Sequence, residues 1–486
     1  MKPALPVLDA AAAEAGLGFG PAPGRPGPGP DDARATAQSD ADVARVDADS
    51  AAYVPHVVAW NLTKRCNLAC AHCYIAAGSW HATAGELETH ECLRIADEIL
   101  AISPAPMFIL SGGEPLLRDD LETIARHATS GGATVVIGTN GTRLTAARIR
   151  SLMDAGVTGV AISIDSLDER YHDRFRHGGG ALRDTLEAVE RLRAERLDFV
   201  VQTSLTRGNR TEVGAIAAWA AERGAVSFNL YFLVATGRAE GMHGLSPAEN
   251  DDVLRELAAL ERAYRGRMLV RSKCQPQIMR HAYEADTESP LLNYGTRCPC
   301  GIHYARITPE GKLTPCPYTP AVAGDLRRSS FAEVWRDSPV FRRLRTETPG
   351  GKCGRCEYRA VCGGCRARAY ADAGDLMAED ASCAYQPAGD RPLVRPPRET
   401  TYGAPAATAT MPWTDEATAR LTRVPGFVRA VVASRIEKFA RERGHAAVTP
   451  EVMDAVRREM PVDFSKRLPF FMGRRQDGQD QGNSRG

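Results

Sequence analysis

The sequence is poor in aromatic residues, has no excess of either charge and contains no long apolar run. Phe, Trp and Tyr make up 6% of the 486 residues, and 61 basic residues stand against 60 acidic residues, for a net charge of +1. A balanced charge provides no basic surface for nucleic acid or for an anionic membrane, so we expect neither as a partner. No apolar run reaches the roughly 20 residues that span a bilayer, and no signal-peptide pattern precedes the first structured segment. We therefore expect a cytoplasmic protein whose partner is a small molecule or a specific protein.

Thirteen cysteines are present in a chain expected to stay in a reducing compartment. Intracellular reductants disfavour structural disulfides, so metal binding is the more favourable interpretation. The distribution supports it, because three cysteines lie at 66–73 and eight lie between 298 and 383, which leaves Cys92 and Cys274 isolated. We interpret Cys92, in a helical stretch, as a buried thiol. The role of Cys274 is left unassigned, and a position beside the substrate is one alternative.

The length exceeds what one hydrophobic core supports, and composition divides the chain into segments. Residues 1–52 are rich in Ala, Pro, Gly and Asp with almost no aromatics, which predicts a disordered tail. We expect a catalytic domain over 53–270 and a cysteine-rich domain over 271–386. A Pro-rich linker over 387–410, a small helical domain over 411–462 and a flexible polar tail over 463–486 follow.

Short apolar runs alternate with amphipathic stretches from residue 56 onward, and this pattern predicts an α/β fold with a parallel sheet. The runs are 56–60, 107–110, 134–137, 159–164, 199–203 and 226–232, and the helices are 89–102, 119–130, 145–155, 183–196 and 211–223. The six βα units form either an open doubly wound sheet or a partial barrel. In both folds ligands gather at the carboxyl ends of the strands, where the polar motifs of this sequence also fall.

The first cysteine group, Cys66-x3-Cys70-x2-Cys73, follows the first predicted strand. Three thiolates leave one iron of a cubane open, and that iron can bind the amino and carboxylate groups of methionine. Zinc is the alternative, although structural zinc usually takes four ligands. The spacing resembles the CxxxCxΦC signature of the radical S-adenosylmethionine (SAM) superfamily, with His72 at the aromatic position. The resemblance implies a TIM-like partial (β/α)6 barrel and an enzyme whose [4Fe–4S] cluster cleaves SAM reductively to a 5′-deoxyadenosyl radical.

The same resemblance assigns SAM contacts to residues at the strand ends. It implies that Gly112-Gly113-Glu114-Pro115 binds the methionine amino group and that Ser163 and Asp165 contact the ribose or the carboxylate. A bidentate pair between an arginine and the methionine carboxylate is the expected role of Arg176. The remaining candidates are His72, which could pack on adenine, Asn140 and Thr203.

The second cysteine group resembles the SPASM domain of radical SAM enzymes, through Cys353-x2-Cys356-x5-Cys362-x2-Cys365, an upstream Gly311-x4-Cys316 and a downstream Cys383. The last gap has two residues where the family has three. The resemblance implies one auxiliary [4Fe–4S] cluster on Cys353, Cys356, Cys362 and Cys383. A second cluster would use Cys316, Cys365 and the pair Cys298 and Cys300; the alternative is that only one of this pair binds and one coordination site stays open. A zinc ribbon is the alternative for two CxxC pairs.

Two further stretches, 232–238 and 351–383, resemble the alternative haem synthases and haem d1 maturation enzymes. Those enzymes act on iron porphyrins or related tetrapyrroles, where the radical removes a β-hydrogen from a propionate, CO2 leaves and an auxiliary cluster takes up an electron. A ferredoxin or flavodoxin is the implied electron donor. Residues 413–440 resemble the tail of the light-independent protochlorophyllide reductase B subunit, another tetrapyrrole enzyme. A SPASM-type peptide or protein maturase and a non-catalytic Fe–S electron-transfer protein are the alternative functions.

Overall fold

The computed structural model describes residues 53–103, 105–286, 289, 291–292, 297–395, 411–422 and 426–459. The predicted tails at 1–52 and 463–486 lie outside the described residues, as do residues 396–410 of the predicted linker.

One ten-stranded sheet organises the molecule. The strands in chain order are β1 Val57–Asn61, β2 Met107–Ser111, β3 Thr134–Thr139, β4 Gly159–Ser163, β5 Asp198–Leu205, β6 Ser227–Phe232, β7 Leu269–Lys273, β8 Tyr304–Ile307, β9 Lys312–Thr314 and β10 Gly324–Asp325. Their order in the sheet is β10-β9-β8-β1-β2-β3-β4-β5-β6-β7. All neighbours from β8 through β1 to β7 are parallel, and the pairs β8–β9 and β9–β10 are antiparallel. The strands β1 to β7 follow one another in chain order, so right-handed crossovers place all their helices on one face of the sheet. The sheet is therefore a partial barrel with edges at β10 and β7, not a doubly wound layer.

Helices connect the parallel strands, as right-handed crossovers require. They are α1 Thr89–Ile102, α2 Leu121–Ser130, α3 Ala146–Asp154, α4 Glu169–Arg176, α5 Ala181–Ala194, α6 Val213–Glu222, α7 Pro247–Tyr264 and α8 Ile278–Ala285. The six predicted strands and five predicted helices are confirmed within a few residues at each end. The prediction missed helices α4, α7 and α8 and strand β7, and β7 continues across the expected boundary at 270/271.

Apolar side chains on the outer face of the sheet form the main core with the helices. Trp60, Phe108, Ile137 and Ile162 are fully buried there. Side chains alternate between the two faces of a strand, so the residues between these positions line the inner face of the barrel. The small apolar cluster of Val136, Ala161 and Val200 lies on that face. Polar side chains predominate on the inner face nearer the carboxyl ends of the strands.

The cysteine-rich segment extends the same sheet through β8, β9 and β10. Its helices are α9 Phe331–Asp337, α10 Pro339–Thr346, α11 Gly351–Arg355 and α12 Arg366–Ala373. The last described segment contains α13 Asp415–Thr422, α14 Gly426–Glu442 and α15 Pro450–Glu459, which enclose a core of their own. Among the described residues, no helix combines the length and apolar character that crossing a bilayer requires.

Candidate functional site

The first three cysteines come together on the loop that follows β1. Cys66, Cys70 and Cys73 pack in one cluster with Leu68, Ile75 and Ala77. The Leu68 N–H donates to the Cys66 sulfur at 3.4 Å, and the Ala77 N–H donates to the Cys73 sulfur at 3.3 Å. Burial raises the pKa of the Cys66 thiol to about 12, so binding a metal would have to displace its proton. Gathered thiols with N–H donors at sulfur are the environment that a thiolate-bound cluster needs.

The loop Gly112-Gly113-Glu114-Pro115 lies directly against the segment that leads into Cys66. Gly113 N–H donates to the Thr63 carbonyl at 2.7 Å, and Glu114 N–H donates to the Arg65 carbonyl at 2.9 Å. A Cβ at Gly112 would lie 2.5 Å from the Thr63 oxygen, and one at Gly113 would lie 2.2 Å from the Arg65 oxygen. Both glycines are therefore required by the close approach of two backbones.

The Glu114 carboxylate connects this loop to the end of β3. It accepts hydrogen bonds from the Thr139 hydroxyl at 2.7 Å, the Asn140 N–H at 2.9 Å and the Leu116 N–H at 3.1 Å. Burial raises the pKa of Glu114, although these hydrogen bonds oppose the shift. The Asn140 amide in turn donates to the Asn67 side chain at 3.0 Å and lies 3.9 Å from the Cys66 sulfur. The Glu114 carboxylate thus joins the glycine loop to the loop that follows β3. Direct binding of methionine by Glu114 stays a prediction.

Asp165 and Arg176 form a buried ion pair beside Cys70. The Arg176 Nε and Nη2 atoms lie 2.9 and 2.7 Å from Asp165 Oδ2. Desolvation has the largest single effect and would raise the pKa of Asp165, but Arg176, the two nearby histidines and the Ser204 N–H together hold that pKa below its usual value. The sequence assigned both residues to SAM separately, whereas in the structure each is the other's partner.

His72 stacks on Phe175 of α4 with ring centroids 4.5 Å apart and an interplanar angle of 7°. Burial lowers the pKa of His72 to about 4, so the imidazole is neutral at physiological pH. Its Nδ1 atom is buried without a hydrogen-bond partner. A neutral flat ring already packed on one side is suited to an aromatic ligand, and its contact with adenine stays a prediction.

The other predicted SAM contacts differ in their surroundings. Ser163 lies at the end of β4, opposite Gln202 of β5, on the inner face. The Thr203 hydroxyl instead donates to the Ile164 carbonyl at 2.5 Å, on the strand face that packs against the helices. Pro115 begins a short 3-10 turn that ends the glycine loop. Ser163 is therefore well placed to contact a ligand inside the barrel. Thr203 instead hydrogen-bonds the neighbouring strand segment on the opposite face.

Four auxiliary cysteines, Cys353, Cys356, Cys362 and Cys383, line one pocket. Each sulfur accepts a backbone N–H, from Asp380, Tyr358, Gly364 and Tyr385 respectively. This grouping is the one that the SPASM resemblance implies. A space enclosed by four thiols that each accept an N–H fits a cubane held by four thiolates.

A second auxiliary group contains Cys298, Cys300, Cys316 and Cys365, together with Cys274. Cys300, Cys316 and Cys365 are buried in one cluster, against which Cys274 and Cys298 pack. The sulfurs of Cys298 and Cys300 are 3.4 Å apart, and the Tyr318 N–H donates to Cys316 at 3.4 Å. Cys365 thus lies with the partners expected for it, despite the shorter gap before it. Cys274 had no assignment from the sequence and is the fifth and unexpected thiol of this group.

Neither cysteine-rich region forms a compact donor set for a single ion. Within the part of the chain that the structure describes, no three His, Cys, Asp or Glu side chains are arranged to hold one metal ion. A zinc ion would need four donors within about 2.3 Å of one point.

Cationic and phenolic side chains line the inner face of the barrel. Arg271 and Lys273 share one face of β7, and Arg306 of β8 donates to the Asn61 amide oxygen at 2.6 Å. The Asn61 amide donates to the Tyr74 hydroxyl at 2.8 Å. Burial, together with the nearby Arg271, lowers the pKa of Lys273 to about 8. We call Arg271, Lys273 and Arg306 the cationic inner wall of the barrel. It was not predicted from the sequence, although the two basic residues spaced two apart in β7 were a signal for it.

The chain is similar to proteins of known function. A family model of the radical SAM superfamily matches residues 60–217, and one of an iron-sulfur cluster-binding domain matches 298–365. The AdoMet-dependent heme synthase of Methanosarcina barkeri is 39% identical over 351 residues, which cover 68% of this chain and 97% of that relative. The chain belongs to the radical SAM superfamily. It is accordingly an enzyme whose cofactors are SAM and [4Fe–4S] clusters.

Further comparisons agree with this radical SAM assignment. The pre-heme d1 synthase of Dinoroseobacter shibae is 29% identical, over 67% of this chain and 85% of that relative. Streptococcus suis SuiB, solved with bound S-adenosylmethionine, shares the fold with a TM-score of 0.56 at 14% identity, covering 68% of this chain and 78% of that chain. A family model of the proto-chlorophyllide reductase 57 kD subunit matches residues 413–457. The predicted resemblances of both the core and the helical carboxyl-terminal segment are confirmed.

Proposed function

We propose that this enzyme removes CO2 oxidatively from propionate side chains of an iron porphyrin or a related tetrapyrrole. The observation that carries the proposal is the cationic inner wall of the barrel, taken with the similarity to the AdoMet-dependent heme synthase and to the pre-heme d1 synthase. The family match at residues 413–457, to another tetrapyrrole enzyme, points to the same substrate class.

The first cysteine group would hold the cluster that binds SAM. Cys66, Cys70 and Cys73 would supply three thiolates. The glycine loop would hold the backbone of Thr63 and Arg65, just before Cys66, in place through its N–H groups. When bound, this cluster supplies the electron that cleaves SAM to a 5′-deoxyadenosyl radical. The neutral His72 ring and Ser163, at the end of β4, would contact adenosine. The Asp165–Arg176 pair fixes the position of α4 behind Cys70.

The inner wall would bind the substrate carboxylates. Lys273 forms no salt bridge with any described residue, and its burial next to Arg271 makes an incoming anion favourable. The Arg306 guanidinium lies 5.6 Å from the Tyr74 ring centroid, and the Tyr74 ring lies 5.1 Å from that of Tyr318. Guanidinium and ammonium groups beside flat rings suit a planar macrocycle that carries carboxylates.

The overall reaction balances as follows. The propionate loses one β-hydrogen atom to the deoxyadenosyl radical, and then loses CO2 and one electron, which leaves a vinyl group. The auxiliary cysteine groups would hold the clusters that can take up that electron. A ferredoxin or flavodoxin as the donor of the first electron stays a prediction.

Anaerobic turnover tests the proposal. The enzyme is reconstituted with iron and sulfide, then given dithionite, SAM and iron coproporphyrin, and the porphyrin is analysed by mass spectrometry. We expect products lowered by CO2 and two hydrogens per converted side chain, with 5′-deoxyadenosine formed in step. A Lys273→Met/Arg306→Met variant should lose porphyrin conversion while its abortive SAM cleavage continues.

A matched control separates this result from a general loss of the enzyme. Cys92→Ala removes a core thiol in α1 that belongs to neither cysteine group, and it should keep its iron and its turnover. If porphyrins stay unchanged while a co-encoded peptide is modified, the peptide-maturase alternative replaces the proposal. If clusters form and SAM is never cleaved, the electron-transfer alternative does.

A further inference from the structure

We propose that Cys274 is a ligand of the auxiliary cluster held by Cys300, Cys316 and Cys365, and that Cys298 is not. The inference rests on the proposed auxiliary cluster but requires no assumption about the substrate. Nothing in the family pattern used above assigns Cys274, which lies outside the SPASM match at 298–365.

The first argument is the thiol contacts of Cys274. Its thiol hydrogen-bonds the Cys365 thiol and lies beside Cys316. The side chain packs against the buried cluster formed by Cys300, Cys316 and Cys365. Cys274 therefore joins three thiols already grouped by the fold, although the nearest other cysteine in the sequence is Cys298, 24 positions further along.

The second argument is the fixed backbone at this position. Cys274 follows β7 directly and has a φ of 59°, in the left-handed region that side chains other than glycine rarely adopt. Its carbonyl accepts a hydrogen bond of 2.8 Å from the buried Arg368 of α12, and the Ser272 hydroxyl donates to the Gln275 carbonyl at 2.9 Å. The turn is thus held on both sides while its thiol points to the cysteine group.

The third argument is the number of thiols. Five cysteines surround a place where four thiolates complete a cubane. Cys300 hydrogen-bonds Cys316, so it belongs to the centre of the group. The Cys298 sulfur contacts Cys300 and the Arg366 N–H, and both cysteines border a pocket lined by Arg297, Leu344 and Met377. Cys274 contacts Cys365 and lies beside Cys316, whereas the contact of Cys298 within the group is with Cys300, so we infer that Cys274 completes the set of four.

The test uses the full chain with Cys66, Cys70 and Cys73 changed to Ala, so that only auxiliary clusters contribute. Cys274→Ala and Cys298→Ala are compared in this background for iron and sulfide per chain, and for the electron paramagnetic resonance spectrum after reduction. We expect Cys274→Ala to lose up to about four iron atoms and the spectrum of one cubane, while Cys298→Ala retains both.

Two controls keep the result specific. The spectrum of the cluster on Cys353, Cys356, Cys362 and Cys383 must persist in every variant, which shows that the domain is folded. Cys274→Ser, which keeps the size of the side chain, should retain more iron than Cys274→Ala and give a shifted spectrum. Full iron with an unchanged spectrum in Cys274→Ala, or cluster loss in Cys298→Ala, would overturn the inference. None of these readouts depends on porphyrin turnover, so an inactive enzyme does not affect them.

Discussion

Asp380 joins the two auxiliary cysteine groups through a single side chain and its own N–H. The carboxylate accepts from the Cys365 N–H at 2.7 Å and from the Gln277 amide at 2.9 Å, and the Asp380 N–H donates to the Cys353 sulfur at 3.4 Å. The Arg368 guanidinium lies 3.5 Å away. Desolvation would raise the pKa of Asp380, but Arg368 and the hydrogen bonds hold it below its usual value.

We predict that Asp380→Asn destabilises both auxiliary groups together. The amide leaves the buried Arg368 without its counter-charge, and breaking a buried pair typically costs roughly 3–5 kcal/mol. Iron counting after reconstitution should show a loss from both clusters. Asp372→Asn, an exposed change on α12, serves as the matched control and should retain full iron. Normal iron content in Asp380→Asn would show that the carboxylate is dispensable for the clusters.

Buried histidine makes folding sensitive to acid. Burial, assisted by Arg176, lowers the pKa of His172 to about 4 from an ordinary value of 6.5. The unfolded chain therefore binds a proton between these two values that the folded chain does not. The stability contributed by the neutral imidazole is complete above pH 6.5 and is lost as pH falls towards 4.

We expect iron-free protein to lose about 2 kcal/mol from His172 alone between pH 7 and pH 5. His172→Asn keeps an acceptor for the Asp165 N–H, 3.3 Å from His172 Nδ1, and cannot titrate. Urea unfolding midpoints at the two pH values should differ less in this variant than in the wild type. Equal pH dependence in both proteins would mean that His172 does not control acid stability.

At the scale of the elements, the carboxyl ends of β1 to β4 place the SAM-side loops next to each other. The glycine loop after β2 lies against the backbone that carries Cys66, without space for a methyl group. The geometry of the cysteine loop thus depends on the two glycines, Gly112 and Gly113, of the loop that follows β2.

Gly113→Ala should therefore weaken SAM binding without unfolding the barrel. Its Cβ would meet the Arg65 oxygen at 2.2 Å, so the two loops must separate. We expect at least about a tenfold rise in the Kd for SAM, measured by titration of reconstituted protein, which corresponds to about 1.4 kcal/mol. Gly179→Ala, where a Cβ meets nothing within 4 Å, should bind SAM like the wild type. Equal affinity in the two variants would contradict the role given to the loop.

Sequence predicted most elements of the sheet because their outer faces bury short apolar runs. It missed β7, since Leu269–Lys273 has a polar inner face and no such run. It predicted the grouping of Cys353 with Cys383 by family resemblance. It did not predict the Asp165–Arg176 pair or the contact of Cys274 with Cys365, because both depend on how separate strand ends meet in space. Tertiary contacts of this kind leave no periodic signal in one sequence.

At the scale of the whole molecule, the barrel and the carboxyl-terminal helices are stabilised by different cores. The helical segment buries Ala417, Ile436, Val448 and Val452 among its own residues. The Trp413 indole donates to the Glu437 carboxylate at 2.8 Å within the same segment. We predict that a chain ending at residue 395 binds its clusters and forms 5′-deoxyadenosine at a rate within about twofold of the full chain. Loss of SAM cleavage in that truncated enzyme would show that the helices support the barrel.

The most direct test of the central claim is the 5′-deoxyadenosine formed from SAM and dithionite by wild type and by Cys73→Ala, with iron counted in both. The account predicts cleavage by the wild type, no cleavage by Cys73→Ala, and a deficit of about four iron atoms in the variant while the auxiliary clusters persist. Cleavage by Cys73→Ala at the wild-type rate, or zinc in place of iron on the first cysteine group of the wild type, would contradict it.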